Sequence, residues 1–127
     1  MPEANRFAAL SSRGIVKASL DLGFRVFDTS PYYGPLEELL GDALSQPDIV
    51  NRHRRDDYLL MIKVGRIGTD EFNYSPSWID HSVRRSLSRL QTSFIDVVFC
   101  HDNEFVQEEE ALAAVGVLVK LRAQGLI

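Results

Sequence analysis

The sequence predicts an α/β fold built on a short parallel sheet, and three observations predict it. Short apolar runs occupy residues 24–27, 59–64 and 95–100, and stretches of helical periodicity separate them. Strands that alternate with helices imply right-handed crossovers and parallel pairing. Each run also carries a polar group at or just past its end: Asp28, Lys63 and His101.

The elements follow in order. Residues 7–22 read as a helix with Ile15, Ala18 and Leu22 on its apolar face, and Gly23 is a natural stop. Residues 24–27 form a short strand. Gly34-Pro35 opens a second helix, with Glu37 and Glu38 in its first turn and Leu36, Leu39, Leu40, Ala43 and Leu44 as its apolar side. Residues 46–57 read as a polar loop. Residues 59–64 are nearly all apolar, as expected of a strand covered on both faces. After a loop at residues 65–74, Ser75 caps a third helix striped by Ile79, Val83, Leu87 and Leu90. Residues 95–100 give the third strand. A fourth helix, at residues 108–124, turns Leu112, Val115 and Val119 to one side and ends at Gly125. Leu126-Ile127 resembles the first step of another strand. The order is α-β-α-β-α-β-α in a single domain, residues 1–127.

Composition narrows the function classes. A formal charge of −4 argues against a nucleic-acid footprint. Arg52, His53, Arg54 and Arg55 are the one dense basic cluster. Asp56 and Asp57 follow at once, so a solvated loop is the first reading and anion binding the second. The single cysteine, Cys100, allows no internal disulfide and fits a reducing, cytoplasmic setting; within an apolar strand it reads as a buried, inert thiol. No run approaches the ~20 apolar residues of a membrane span. No metal-binding set is assigned.

Asp28, Tyr33, Lys63 and His101 carry the chemistry. Polar groups leaving the same ends of successive parallel strands converge on one region. Each residue also has a plain reading. Asp28-Thr29-Ser30-Pro31 is good turn chemistry, Tyr32 or Tyr33 can fill space, Lys63 can be a strand-end cation, and His101 a capped histidine. Together they fit a proton donor. A tyrosine is a weak acid at neutral pH, and a nearby ammonium favours its phenolate. Asp28 would hold Lys63 in place. His101 would donate a hydrogen bond to a carbonyl oxygen, and Tyr33 would exchange a proton with it.

Order and spacing resemble the aldo-keto reductase family. The matching stretches are Asp28 to Gly41 (DTSPYYGPLEELLG), Lys63-Val64-Gly65-Arg66, Tyr74-Ser75-Pro76-Ser77, the helix ending Arg85-Ser86-Leu87-Ser88-Arg89-Leu90, and Cys100-His101-Asp102. They are similar to the fungal and plant branch acting on sugars such as D-arabinose and L-galactose. The resemblance implies Asp28, Tyr33, Lys63 and His101 as catalytic residues, Tyr32 and Arg66 as substrate-binding residues, a structural hydrogen-bonding role for Asp96, and a small-molecule carbonyl substrate. It also implies an eight-stranded β/α barrel, typically ~250 residues. This chain would then be a truncated half of that TIM-type barrel, without a recognisable first strand and ending where the fifth should begin.

The family's NAD(P) is held largely by later strands, and no G-x-G-x-x-G fingerprint stands in for them here. The isolated chain is therefore expected to bind no nicotinamide cofactor of its own. An open half-barrel exposes an apolar face, so a homodimer or larger homo-oligomer is expected. The alternatives are a cofactor-free isomerase, cyclase or dehydratase, and a non-catalytic remnant that assembles with or regulates a full-length relative.

Overall fold

The computed structural model describes residues 3–127. The elements are α1 (Glu3–Asp21), β1 (Val26–Asp28), α2 (Leu36–Leu44), α3 (Pro47–Val50), β2 (Leu59–Val64), α4 (Pro76–Leu90), β3 (Val97–Cys100) and α5 (Glu108–Ala123). The strands form one parallel sheet in the order β1-β2-β3. The register pairs Asp28 with Met61 and Lys63 with Phe99. This is a half β/α barrel.

Alternation along β2 shows how the sheet is used. Leu60, Ile62 and Val64 are buried against the helices, while Leu59, Met61 and Lys63 are not. The sheet is therefore covered on one face, not on the two that its apolar run suggested. Val26, Leu59 and Phe99 are exposed. The core lies behind the sheet. Val16, Leu20, Ala43, Leu44 and Leu60 pack at one end, and Val64, Tyr74, Ile79, Val83, Ala114 and Leu121 at the other, with Ile62, Leu90 and Ile95 between.

Two helices present a different face to the core than the sequence suggested. In α1 the buried residues are Ala9, Val16 and Leu20, while Ile15 is 66% exposed. In α5 they are Ala114 and Leu121, and Leu112, Val115 and Val119 face outward. Both helices have apolar residues on two sides, and this sheet meets one of them. The expected stripe of α4 holds, with Ile79, Val83 and Leu90 buried. Ser75 sits at its N-cap position, but its hydroxyl bonds Asn73 instead of the helix. Leu126-Ile127 adds no strand; Leu126 accepts a backbone bond from Ile95.

The stretch expected to be a polar loop holds α3, which starts at Pro47, and a firm tie at Arg55. The Arg55 guanidinium lies 2.7 Å from Asp96, donates to the carbonyls of Tyr58 and Phe94, and lies 4.1 Å from the centre of the Phe94 ring. Asp96 also accepts from the Leu60 amide at 2.8 Å, so one carboxylate joins β2 to the entry of β3. Arg55 is thus a partly buried clamp, not part of a solvated loop.

Helices α2 and α4 meet at Gly41. A Cβ there would fall 2.2 Å from the Arg89 carbonyl oxygen and 2.8 Å from the Leu90 Cα, both backbone atoms. Gly14 on α1 has open space around it. Gly41→Ala is therefore expected to lose about 1–3 kcal/mol to overpacking, and Gly14→Ala to hold or gain stability through helix propensity. Denaturant titration checks both; equal midpoints would contradict this packing.

Candidate functional site

The site stands at the carboxyl ends of the three strands, where parallel pairing brings their last residues together. Asp28 ends β1, Lys63 is the penultimate residue of β2, and His101 follows β3. The Lys63 ammonium donates to both oxygens of Asp28, each at 2.9 Å, and reaches the Thr29 carbonyl at 3.5 Å. The Lys63 side chain is 16% exposed, so its charge needs this partner. The same nitrogen lies 4.9 Å from the centre of the Tyr33 ring, within range of a cation–π contact. Burial disfavours the ammonium. The hydrogen bonds and charges of Asp28 and the neighbouring Tyr33 outweigh that, and hold the Lys63 pKa above its ordinary value.

Tyr33 is placed by a tight turn. After β1, Ser30 accepts the Tyr32 amide on its side chain, and Pro31 begins a single 3-10 turn through Tyr33. The turn exits at Gly34, whose φ of 65° lies in the left-handed region. Tyr32 and Tyr33 then stand edge-on to the His101 ring, at 5.8 and 5.9 Å between centroids.

His101 is buried. Its Nδ1 lies 3.4 Å from the Ser30 hydroxyl and its Nε2 3.5 Å from Asp102. Burial, joined by the charges of Lys63 and Arg66, outweighs the pull of Asp102 and lowers its pKa below the ordinary 6.5. The imidazole is therefore neutral at pH 7 and has one N–H to donate. Its backbone is fixed by Tyr74, whose buried hydroxyl donates to the His101 carbonyl. Burial raises the Tyr74 phenol pKa, which keeps it a donor. Gly65 makes room for that ring: its φ is 103°, and a Cβ would lie 2.0 Å from Tyr74. Cys100, just before His101, has its thiol pKa raised by burial.

Arg66 reaches the rim. Its guanidinium pairs with Asp102 at 2.6 Å, donates to the carbonyls of Gly68 and Thr69, and lies 4.6 Å from the centre of the Tyr32 ring. All six residues singled out in the sequence therefore belong to one neighbourhood. Asp28, Tyr33, Lys63 and His101 form its centre, with Tyr32 and Arg66 on one side. Sequence reasoning missed Ser30, Asp102 and the anchoring role of Tyr74. Asp102, directly after His101 with a φ of 50°, was the most legible of these. Among the described residues no cluster of His, Cys, Asp or Glu could hold a metal, and no helix is long and apolar enough to cross a membrane.

The pattern that defines the aldo/keto reductase family matches residues 2–127. The chain belongs to that family. It is 46% identical over 113 residues to D-arabinose 1-dehydrogenase of Saccharomyces cerevisiae, covering 89% of this chain and 33% of that protein. It is 34% identical over 113 residues to L-galactose dehydrogenase of Arabidopsis thaliana, covering 87% and 34%. An aldo-keto reductase from Bacillus halodurans, solved in its apo form, superimposes with a TM-score of 0.69 at 27% identity, over 94% of this chain and 36% of that one. The chain spans about one third of the length of the curated relatives it matches.

The buried neutral histidine ties stability to pH. Because its folded-state pKa is depressed, the unfolded chain takes up a proton first as pH falls through 6.5. Stability is therefore full above that pH and declines below it. His101→Gln should flatten the decline between pH 7.5 and 5.5 in thermal denaturation. An unchanged slope would contradict the burial argument.

Proposed function

We propose that this chain performs tyrosine-centred acid/base chemistry on a small carbonyl compound, and that a sugar or a sugar-derived lactone suits the site. The bidentate Asp28–Lys63 pair beneath the Tyr33 ring carries the reading. A carbonyl oxygen above the sheet end would accept an N–H from neutral His101 and a proton from the Tyr33 hydroxyl. In the reverse direction Tyr33 takes the proton back. Lys63 keeps a positive charge beside the phenol through both directions, and Asp28 keeps Lys63 charged and oriented. Tyr32 and Arg66 would flank the substrate. The similarity to two sugar dehydrogenases supports the substrate class.

The family's NAD(P) is a separate matter, because the turns after the three strands do not fit it. The turn after β1 runs into Pro31, which has no amide hydrogen to offer. At the turn after β2, the Tyr74 ring fills the space beside Gly65. The turn after β3 presents the Asp102 carboxylate. None of these is a cradle for a pyrophosphate. The chain supplies a proton to the carbonyl oxygen, and oxidoreduction requires a second polypeptide segment to hold the hydride carrier. A reducing, cytoplasmic setting belongs to this reading.

One observation favours a second reading. The open sheet face exposes Val26, Leu59 and Phe99, which suits a second copy or another chain lying over it. In that reading assembly, not turnover, is the chain's role.

One experiment separates them. Tyr33→Phe removes a hydroxyl from a half-exposed ring and barely alters packing. The catalytic reading expects a 10²–10⁴-fold loss of turnover; full activity with the true substrate would sink it. The assembly reading expects Tyr33→Phe to be silent, and expects Phe99→Asp to lower the mass in light scattering. Calorimetry with NADPH on the same chain should find no binding tighter than roughly millimolar, about −4 kcal/mol. A micromolar constant would restore an ordinary cofactor site.

A further inference from the structure

A second cleft lies on the far side of Tyr32, between the turn holding the two tyrosines and helix α4. Its volume is about 280 Å3, and Tyr32, Arg66, Trp78, Arg85 and Arg89 line it. Trp78, Arg85 and Arg89 are seven and four residues apart on α4, so they share one face of the helix. The turn and the end of β2 bring Tyr32 and Arg66 to meet them.

The charges of this cleft are unequally matched. Asp102 takes Arg66 at 2.6 Å. Arg89 is held loosely, 3.4 Å from both Glu37 and Glu38. Arg85 makes no ion pair among the described residues, and its Nε is shielded from water without a hydrogen-bond partner. Its guanidinium lies 5.4 Å from the centre of the Trp78 ring. Burial and the nearby charge of Arg89 both work against its own charge. Glu37 relieves this little: it is 1% exposed, burial raises its pKa, and one of its oxygens has no partner among the described residues. Ser86 lies close enough to weigh on that carboxyl, yet the two make no bond of normal geometry.

We infer that this cleft binds a phosphoryl group, carried on a small molecule or free. Arg85, which has no ion pair among the described residues, and the loosely held Arg89 turn guanidinium N–H donors toward the same cleft, and the terminal oxygens of a phosphate match them. The volume exceeds that of phosphate and leaves room for a pentose-sized remainder. The small volume and the chain's charge of −4 favour a small anion over a nucleic acid. Binding here can be read without turnover.

Trp78 is the chain's only tryptophan, so its emission reports on this cleft. The 127-residue chain is titrated with inorganic phosphate and with a pentose 5-phosphate, ionic strength being held constant with chloride. Saturable emission changes are expected. Arg85→Gln should weaken binding about tenfold or more, since it removes charged hydrogen bonds. Arg84→Gln should leave it unchanged, because Arg84 points to Asp80 and Gln124 on the outer side of the same helix. Should Arg85→Gln fail to fold, Arg85→Lys keeps the charge, loses the fork and should also bind more weakly. Tighter binding of the ester identifies a phosphorylated metabolite as the ligand, and equal binding identifies free phosphate. No saturation with either, an equal response to acetate, or full affinity in the folded Arg85 variant would overturn the inference.

Discussion

A lysine on the inner face of a β-strand must find an anion, and the arrangement of this site follows from how Lys63 does so. Parallel pairing places Asp28 on the neighbouring strand, opposite Met61, two residues short of Lys63. The lysine leans across that offset and meets both carboxylate oxygens. The pair draws the end of β1 and the turn after it toward β2, and this sets Tyr33 above the ammonium. Asp28 is half-exposed, so solvent screens part of the attraction. Geometry, more than net stability, is what the pair contributes.

The remaining parts hold that geometry rigid. Tyr74 ties the His101 backbone to the loop that opens α4, and Gly65 permits it by leaving room for the ring. The Arg55–Asp96 clamp fixes β3 against β2 from the opposite end of the strands. Asp28, Tyr33, Lys63 and His101 therefore rest on or just past strand ends and are braced from behind by packed helices, while the face in front stays open. That open face is the feature in which a half-barrel departs from a closed one.

Much of this was legible in the sequence. The alternation of apolar runs and helical stretches gave the parallel sheet, and β2 spans the residues its apolar run marked. Asp28, Lys63 and His101 were visible because polar residues at the ends of apolar strands are conspicuous. The failures have physical causes. Helices α1 and α5 carry apolar residues on two sides, so periodicity could not say which side meets the sheet. In β2, a nearly continuous apolar run hid the fact that Leu59 and Met61 face an open surface. Short-range polarity made residues 46–57 look like loop, although Pro47 after Gln46 is a helix-start signal. Tyr74 and Ser30 could not be assigned from sequence, since their roles depend on distant backbone groups. The α4 arginines carried no reading of their own in the sequence, because the turn at Tyr32 that makes their face a cleft is distant along the chain.

A charged Lys63, held by Asp28, sits beside the Tyr33 ring, and the most direct measurement of that charge is the pH titration of the Lys63 side-chain nitrogen by 15N NMR. The account predicts that Lys63 stays protonated beyond the ordinary 10.5, and that Asp28→Asn moves its titration downward because burial then goes less opposed. A Lys63 that titrates below 10.5 in the unaltered chain, or that ignores the loss of the Asp28 charge, would contradict it.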